Sequence, residues 1–212
     1  MEVQRLREGL WRWTAPHPDF QPGGDGPAAW PEQVGCIYYE GPDATVLIDP
    51  LVPADAAEAA RLYDALDRDV DRRGLPVSVV RTIFWHERSC TAIRERYATT
   101  EAWPRGVERI RFGDPRDEVA LHLAEHRALV FGDMVVGSDT MGTAPPGGLL
   151  VPPASWHDDT PEQRTWFAES AGAALEPLVH YGADMVLVAH GTPVPAGGGA
   201  ALRAALAAHG NS

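Results

Sequence analysis

The chain has 212 residues, a formal net charge of −12 and 44% hydrophobic residues. That length fits one domain, and that apolar share excludes a mainly disordered chain. All 18 basic residues are Arg, and an acidic chain without a basic stripe is not built to follow a nucleic-acid backbone.

No apolar run reaches the roughly 18 residues needed to cross a bilayer. The opening MEVQRLREGLWRW lacks the apolar stretch of a secretory signal. The expectation is one cytoplasmic domain over residues 1–212, with a small-molecule partner, no nucleic-acid or membrane partner, and an oligomeric state the sequence leaves open. Cys36 and Cys90 have no metal-ligand spacing and read as small buried thiols. The 19 Pro and 21 Gly fall in clusters that mark loops.

In chain order, residues 1–14 carry Leu10, Trp11 and Trp13 and suggest an edge strand. Ala15–Gln33 reads as a long loop, of a kind that is often functional. Val34–Tyr39 and Ala44–Ile48 are strands joined by Glu40-Gly41-Pro42-Asp43, a hairpin turn. Asp55 caps a helix with Leu62, Leu66 and Val70 every four positions, and Gly74 stops it. Val77–Phe84 is a near-continuous apolar run, as in strands buried on both faces. Ser89 caps a short helix bearing Ile93 and Tyr97.

Three more strands are predicted at Val107–Phe112, Glu118–Leu123 and Arg127–Phe131. The second alternates polar and apolar residues and is expected to be half exposed. Gly137–Trp156 is a second Pro/Gly-rich loop. Thr160-Pro161-Glu162-Gln163 opens a helix with a capping box, and Pro177 is expected to kink or divide it. Met185–Ala189 is a buried strand, and Ala200–Ala208 a final helix. Hairpins and strand–helix alternations together imply an α/β sandwich with mixed sheets.

Four strand ends join an apolar run to an abrupt polar residue, the usual place for a site on such a scaffold. They are Ile48-Asp49-Pro50, Thr82-Ile83-Phe84-Trp85-His86-Glu87-Arg88-Ser89, Phe131-Gly132-Asp133 and Val188-Ala189-His190-Gly191. In this order and spacing they resemble the metallo-β-lactamase-fold superfamily, over about Gly9 to Leu206. Leu47-Ile48-Asp49-Pro50 matches its LIDP-like hairpin end, Gly132-Asp133 its bridging aspartate and His190-Gly191 its last H-G. The resemblance implies an αββα sandwich of two mixed β-sheets flanked by helices.

The metal loop T-H-x-H-x-D-H departs from the pattern. With Thr82 on the threonine, Ile83 and Trp85 stand at the two His positions, Glu87 at the aspartate and Arg88 at the last His. Phe112–Asp117, where a further His belongs, has none. Ile and Trp donate no lone pair to a metal, and Arg88 brings a positive charge. A standard dinuclear zinc site is therefore expected to be absent.

Two readings follow. In the first, His86, Glu87, Asp133 and His190 rebuild a mononuclear Zn or Fe site, with Asp133, His190 and Glu87 as the catalytic groups. The chain is then a divergent hydrolase of an ester, thioester or lactone. In the second, the cleft holds no metal, and Arg88, Trp85 and His86 bind a small anionic ligand or a protein partner without catalysis. Catalysis by Ser89 or Cys90 with His86 is a distant third, because no G-x-S-x-G turn is present. His17 and His157 sit in the two long loops that, by resemblance, border the cleft. Trp30 and Trp156 can line it. His122, His126, His180 and His209 read as surface or structural.

Overall fold

A computed structural model describes residues 1–22, 31–142, 144–156 and 160–210. Trp30 and His157 lie outside the described residues, as does part of each long loop.

The N-terminal stretch folds as a hairpin rather than one strand: β1 (Val3–Arg7) and β2 (Leu10–Pro16) turn at Gly9, whose φ of +70° suits glycine. β2 pairs with β3 (Gln33–Glu40), β3 with β4 (Thr45–Ile48), and β4 runs parallel to β5 (Val77–Val80). The result is a mixed five-stranded sheet in the order β1-β2-β3-β4-β5. Helix α1 (Ala56–Arg73) provides the β4–β5 crossover. Asp55 Oδ1 accepts from Ala57 N and Glu58 N, and Gly74 closes the helix in the left-handed conformation.

The second sheet has the order β11-β8-β7-β6, from β6 (Val107–Arg111), β7 (Val119–Leu123), β8 (Ala128–Phe131) and β11 (Met185–Val188). It is also mixed, with β11 parallel to β8 and the rest antiparallel. Within the second Pro/Gly-rich stretch, β9 (Val136–Gly137) pairs with β10 (Leu149–Leu150).

Three apolar clusters define the layers. Ile37, Tyr39, Val46 and Ile48 of the first sheet meet Leu121, Leu123, Val130 and Leu187 of the second, so one core lies between the sheets. Leu62 and Leu66 of α1, with Ile93 of α2 (Cys90–Arg96), cover the outer face of the first sheet. Phe167 of α3 (Pro161–Glu169), Leu175 of α4 (Ala171–Leu175) and Leu202 of α5 (Gly198–His209) cover the second. This is the αββα sandwich of two mixed sheets. Among the described residues no helix is long and apolar enough to cross a membrane. Cys36 and Cys90 are buried free thiols, pushed up to about 11 and about 12 by burial.

Several expectations are corrected. The apolar run Val77–Phe84 is a strand only to Val80, because Thr82 turns aside to bond Asp49. β7 is buried except at His122, since it is an inner strand packed between the other sheet and the helices. Ser89 makes no side-chain cap on α2 and its hydroxyl accepts from Val52 N instead. Thr160 and Gln163 do form the capping box. The helix it opens already ends at Ser170, and Pro177 begins a 3₁₀ segment, Glu176–Tyr181.

Candidate functional site

The four polar strand ends converge on one end of the sandwich. Backbone bonds knit them together: Gly35 N to Ala189 O at 2.7 Å, Asp49 N to Val80 O at 3.0 Å, and Ala189 N to Phe131 O at 3.2 Å. The first of these joins the two sheets, and Val34 and His190 form an isolated antiparallel bridge beside it.

Asp49 follows β4 with φ +48°, a strained conformation for a non-glycine residue that its contacts hold in place. Its Oδ1 accepts from Thr82 N at 2.9 Å, and its Oδ2 accepts from Thr82 Oγ1 at 2.6 Å. The same Oδ2 lies 3.0 Å from His86 Nδ1. The other ring nitrogen, His86 Nε2, lies 3.3 Å from Asp133 Oδ1, and His190 Nε2 approaches that same oxygen to 3.3 Å. His86, Asp133 and His190 are all buried, and their ligand atoms lie within 4.8 Å of one another.

Asp133 Oδ2 is occupied differently. Trp85 Nε1 donates to it at 2.8 Å. Asp133 Oδ1 is buried and accepts no well-aligned hydrogen bond. Such an oxygen is costly unless something electropositive meets it.

Electrostatics follow from this packing. Burial alone would lower His86, yet Asp49 and Asp133 outweigh burial and Arg88 and lift it to about 9. Burial opposes the Asp133 charge, but His86 and His190 hold its carboxyl well below the usual carboxylate range. Burial, with Arg88 and His86, pushes His190 down to about 4 although Asp133 pulls the other way. The two carboxylates thus favour the charged form of His86, while burial favours the neutral form of His190.

A second layer sets the Asp133 turn. Glu118 Oε1 accepts from the backbone N–H groups of Gly132 at 3.1 Å, Asp133 at 2.9 Å and Met134 at 3.0 Å. Gly132 is required there, because a Cβ would stand 2.5 Å from Thr82 Oγ1. Next to Glu118, Arg116 makes a buried ion pair with Asp114 at 3.0 Å. The Arg116 guanidinium also lies 5.4 Å from the Trp85 ring and 4.5 Å from the Phe167 ring.

The structure brings His86, Asp133, His190 and Trp85 together. It does not bring Glu87 to them. Its carboxylate pairs with Arg81 at 2.6 Å and Arg94 at 3.1 Å, its side chain is 43% exposed, and it lies outside the three-residue cluster. Its direction reverses because His86 faces inward and the next side chain points away. Arg88 is near the cluster but donates to main chain, Nη1 reaching Asp49 O at 3.1 Å and Gly35 O at 3.4 Å. Burial and then Arg88 lower half-buried His17, against a smaller opposing pull from Asp19. Ile83 is buried and Trp156 is 7% exposed, while Phe84 and Trp85 are exposed at the surface.

Sequence reasoning named the Asp49 strand end and set Thr82 on the motif's threonine without giving either a role, and took Glu118 only as the start of a half-exposed strand. Asp49 carried a signal, an aspartate directly after a buried strand and before proline. For Glu118 the only hint was a carboxylate at the mouth of an apolar run, which reads as surface alternation.

This architecture, with its site at the strand ends between the sheets, is the metallo-β-lactamase fold. A metallo-β-lactamase from Erythrobacter litoralis superposes with a TM-score of 0.55 at 15% identity, covering 99% of this chain and 92% of that one. A metallo-β-lactamase from Pontibacter korlensis gives 0.55 at 16% identity, over 100% and 99% of the two chains. The metallo-β-lactamase FIM-1 from Pseudomonas aeruginosa, solved in a mono-zinc form, gives 0.50 at 14% identity, over 99% and 94%. The likeness is one of fold. No protein-family model and no curated protein matches the sequence.

Proposed function

We propose that the chain is a divergent hydrolase of the metallo-β-lactamase fold that holds one divalent transition-metal ion on His86, Asp133 and His190. One observation carries the reading: two imidazole Nε2 atoms converge at 3.3 Å on one Asp133 oxygen, and these buried ligand atoms all lie within 4.8 Å of one another. Two His and one carboxylate form a donor set suited to Zn²⁺ or Fe²⁺. When bound, such an ion polarises a carbonyl and acidifies water at neutral pH.

The chain's own residues supply the rest. Asp49 accepts the Nδ1 proton of His86, which fixes the tautomer and turns Nε2 toward Asp133. Trp85 holds Asp133 Oδ2, so that Oδ1 is the oxygen presented to the two rings. Glu118 orients the turn on which Asp133 stands. Trp85, 40% exposed, also forms part of the apolar rim with Phe84 that a substrate passes. Ester, thioester and lactone carbonyls are the substrate class proposed for this site.

Metal analysis of protein purified without chelator tests the centre. About one equivalent is expected, falling to under 0.1 equivalent in Asp133→Ala and His190→Ala. Metal-free wild-type protein would overturn it. A panel of ester, thioester and lactone substrates tests the reaction, with turnover expected to vanish in His190→Ala.

The competing reading is a metal-free cleft that binds an anion through Arg88. It is supported by Arg88 Nε, which is buried and without a hydrogen-bond partner. Stabilisation by carboxylates, lost in Arg88→Ala and unmatched by Zn²⁺, would favour it over the hydrolase.

A further inference from the structure

The sandwich is open along one side, between β5 of the first sheet and β6 of the second, the edge strands there. A groove of about 270 Å³ runs along this opening, floored by Val79, Val80 and Val119. Along β6 side chains alternate, and Val107 points into the core between the sheets. Arg109 and Arg111 share its parity, so at this open edge two solvent-exposed guanidinium groups stand on the groove side of the strand.

Arg81 and Arg94 also line the groove, and Asp117 is the one acid of its lining among the described residues, so the lining carries a net +3. Glu87, which pairs with Arg81 and Arg94, reduces this to about +2. That is a concentration of positive charge on a chain whose net charge is −12. Arg111 pairs with Asp117, but Arg109 makes no ion pair among the described residues. Arg109 instead stacks on Trp103, its guanidinium carbon 3.9 Å from the ring centroid. Desolvation and then repulsion from Arg111 act against its charge, and an anion between the two guanidinium groups would offset the repulsion.

We propose that this groove binds the phosphate or diphosphate group of a small molecule. Guanidinium forks match phosphate oxygens in pairs, and a surplus charge near +2 suits a dianion better than a single carboxylate. The groove's size admits a small molecule rather than a duplex. Thr82, Ile83 and Phe84 form its wall, so the occupant sits behind the loop that carries Trp85 and His86. The site is separate from the His86–Asp133–His190 cluster and needs no metal there.

Calorimetric titration of the full chain with sodium pyrophosphate in magnesium-free buffer tests this. The expected Kd is tighter than about 1 mM. Binding weakens at least about tenfold in Arg109→Gln/Arg111→Gln, a loss of about 1.4 kcal/mol. His190→Ala leaves it unchanged, and the melting temperature of the arginine variant shows that it is folded. A parallel titration with adenosine diphosphate separates the sources: tighter binding than pyrophosphate marks an esterified ligand, weaker binding the free anion. Absence of binding overturns the proposal. So does binding that survives the double substitution or is lost in His190→Ala.

Discussion

Trp85 Nε1 donates to Asp133 Oδ2 at 2.8 Å, and this bond leaves Oδ1 to face His86 and His190. Trp85 stands where the resemblance placed a histidine ligand. It cannot donate a lone pair, yet it selects which oxygen of the neighbouring Asp133 faces the two rings. Replacing Trp85 with Phe keeps the ring and removes the N–H. Metal affinity, read by competition with a chromogenic chelator, is expected to fall about 10- to 100-fold, as for other outer-shell partners of metal ligands. Unchanged affinity would mean that the indole only packs.

Zn²⁺ is expected to stabilise chelator-treated protein. At a free concentration about 1,000-fold above Kd the gain is about 4 kcal/mol, several degrees in melting temperature. The shift should disappear in His86→Ala and His190→Ala and persist in Glu87→Ala, whose carboxylate points to Arg81 and Arg94. A Glu87→Ala variant that loses the zinc shift would return Glu87 to the site.

Glu118 is 1% exposed and accepts three backbone N–H bonds on one oxygen. Glu118→Ala leaves those donors buried without an acceptor, each costing about 1–3 kcal/mol. A loss of about 3 kcal/mol or more is expected in urea unfolding. Glu118→Gln keeps a carbonyl oxygen for the same donors and should recover most of it. Equal loss in both variants would show that the charge, rather than the acceptor, matters.

The metal-free protein should depend on pH in two directions. His86 is lifted to about 9, burial being outweighed by Asp49 and Asp133, so its contribution is complete below about 6.5 and lost as pH rises toward 9. His190 is lowered to about 4, chiefly by burial, so its neutral form favours folding above about 6.5, and stability falls as pH drops toward 4. Thermal unfolding of chelator-treated protein should therefore be most resistant near pH 6.5. His86→Asn should flatten the alkaline side and His190→Asn the acid side. A wild-type profile that stays flat to pH 9 would contradict the bridging role of His86.

Local chemistry made much of the fold legible. Asp55 and Gly74 bound α1 because a capping carboxylate and a left-handed glycine act within one turn. The Thr160–Gln163 capping box and the β3–β4 hairpin are local in the same sense. The β7 burial was misread because alternation reports one exposed face, and only the packing of layers on both faces of an inner strand removes it. Glu87 lies apart from the cluster for a related reason. Spacing along the motif placed it among the ligands, but the turn after Thr82 sends His86 inward and Glu87 outward.

By itself the sequence determined the β3–β4 hairpin, both ends of α1, the start of α3 and the four polar strand ends, since these follow from periodicity, capping and the abrupt end of apolar runs. It also offered Asp133 and His190 as candidates, each two residues past the end of a buried strand. Only the tertiary structure decided which polar residues share a site. The contacts of Asp133 with His86, Trp85 and His190 span 47, 48 and 57 positions, and Glu118 reaches back to the turn 14–16 residues on. Such pairings depend on sheet order and on the bridge between Val34 and His190, which no local pattern encodes. The same holds for the arginines of β6, which look like ordinary surface charge until the open edge between the sheets sets them along one groove.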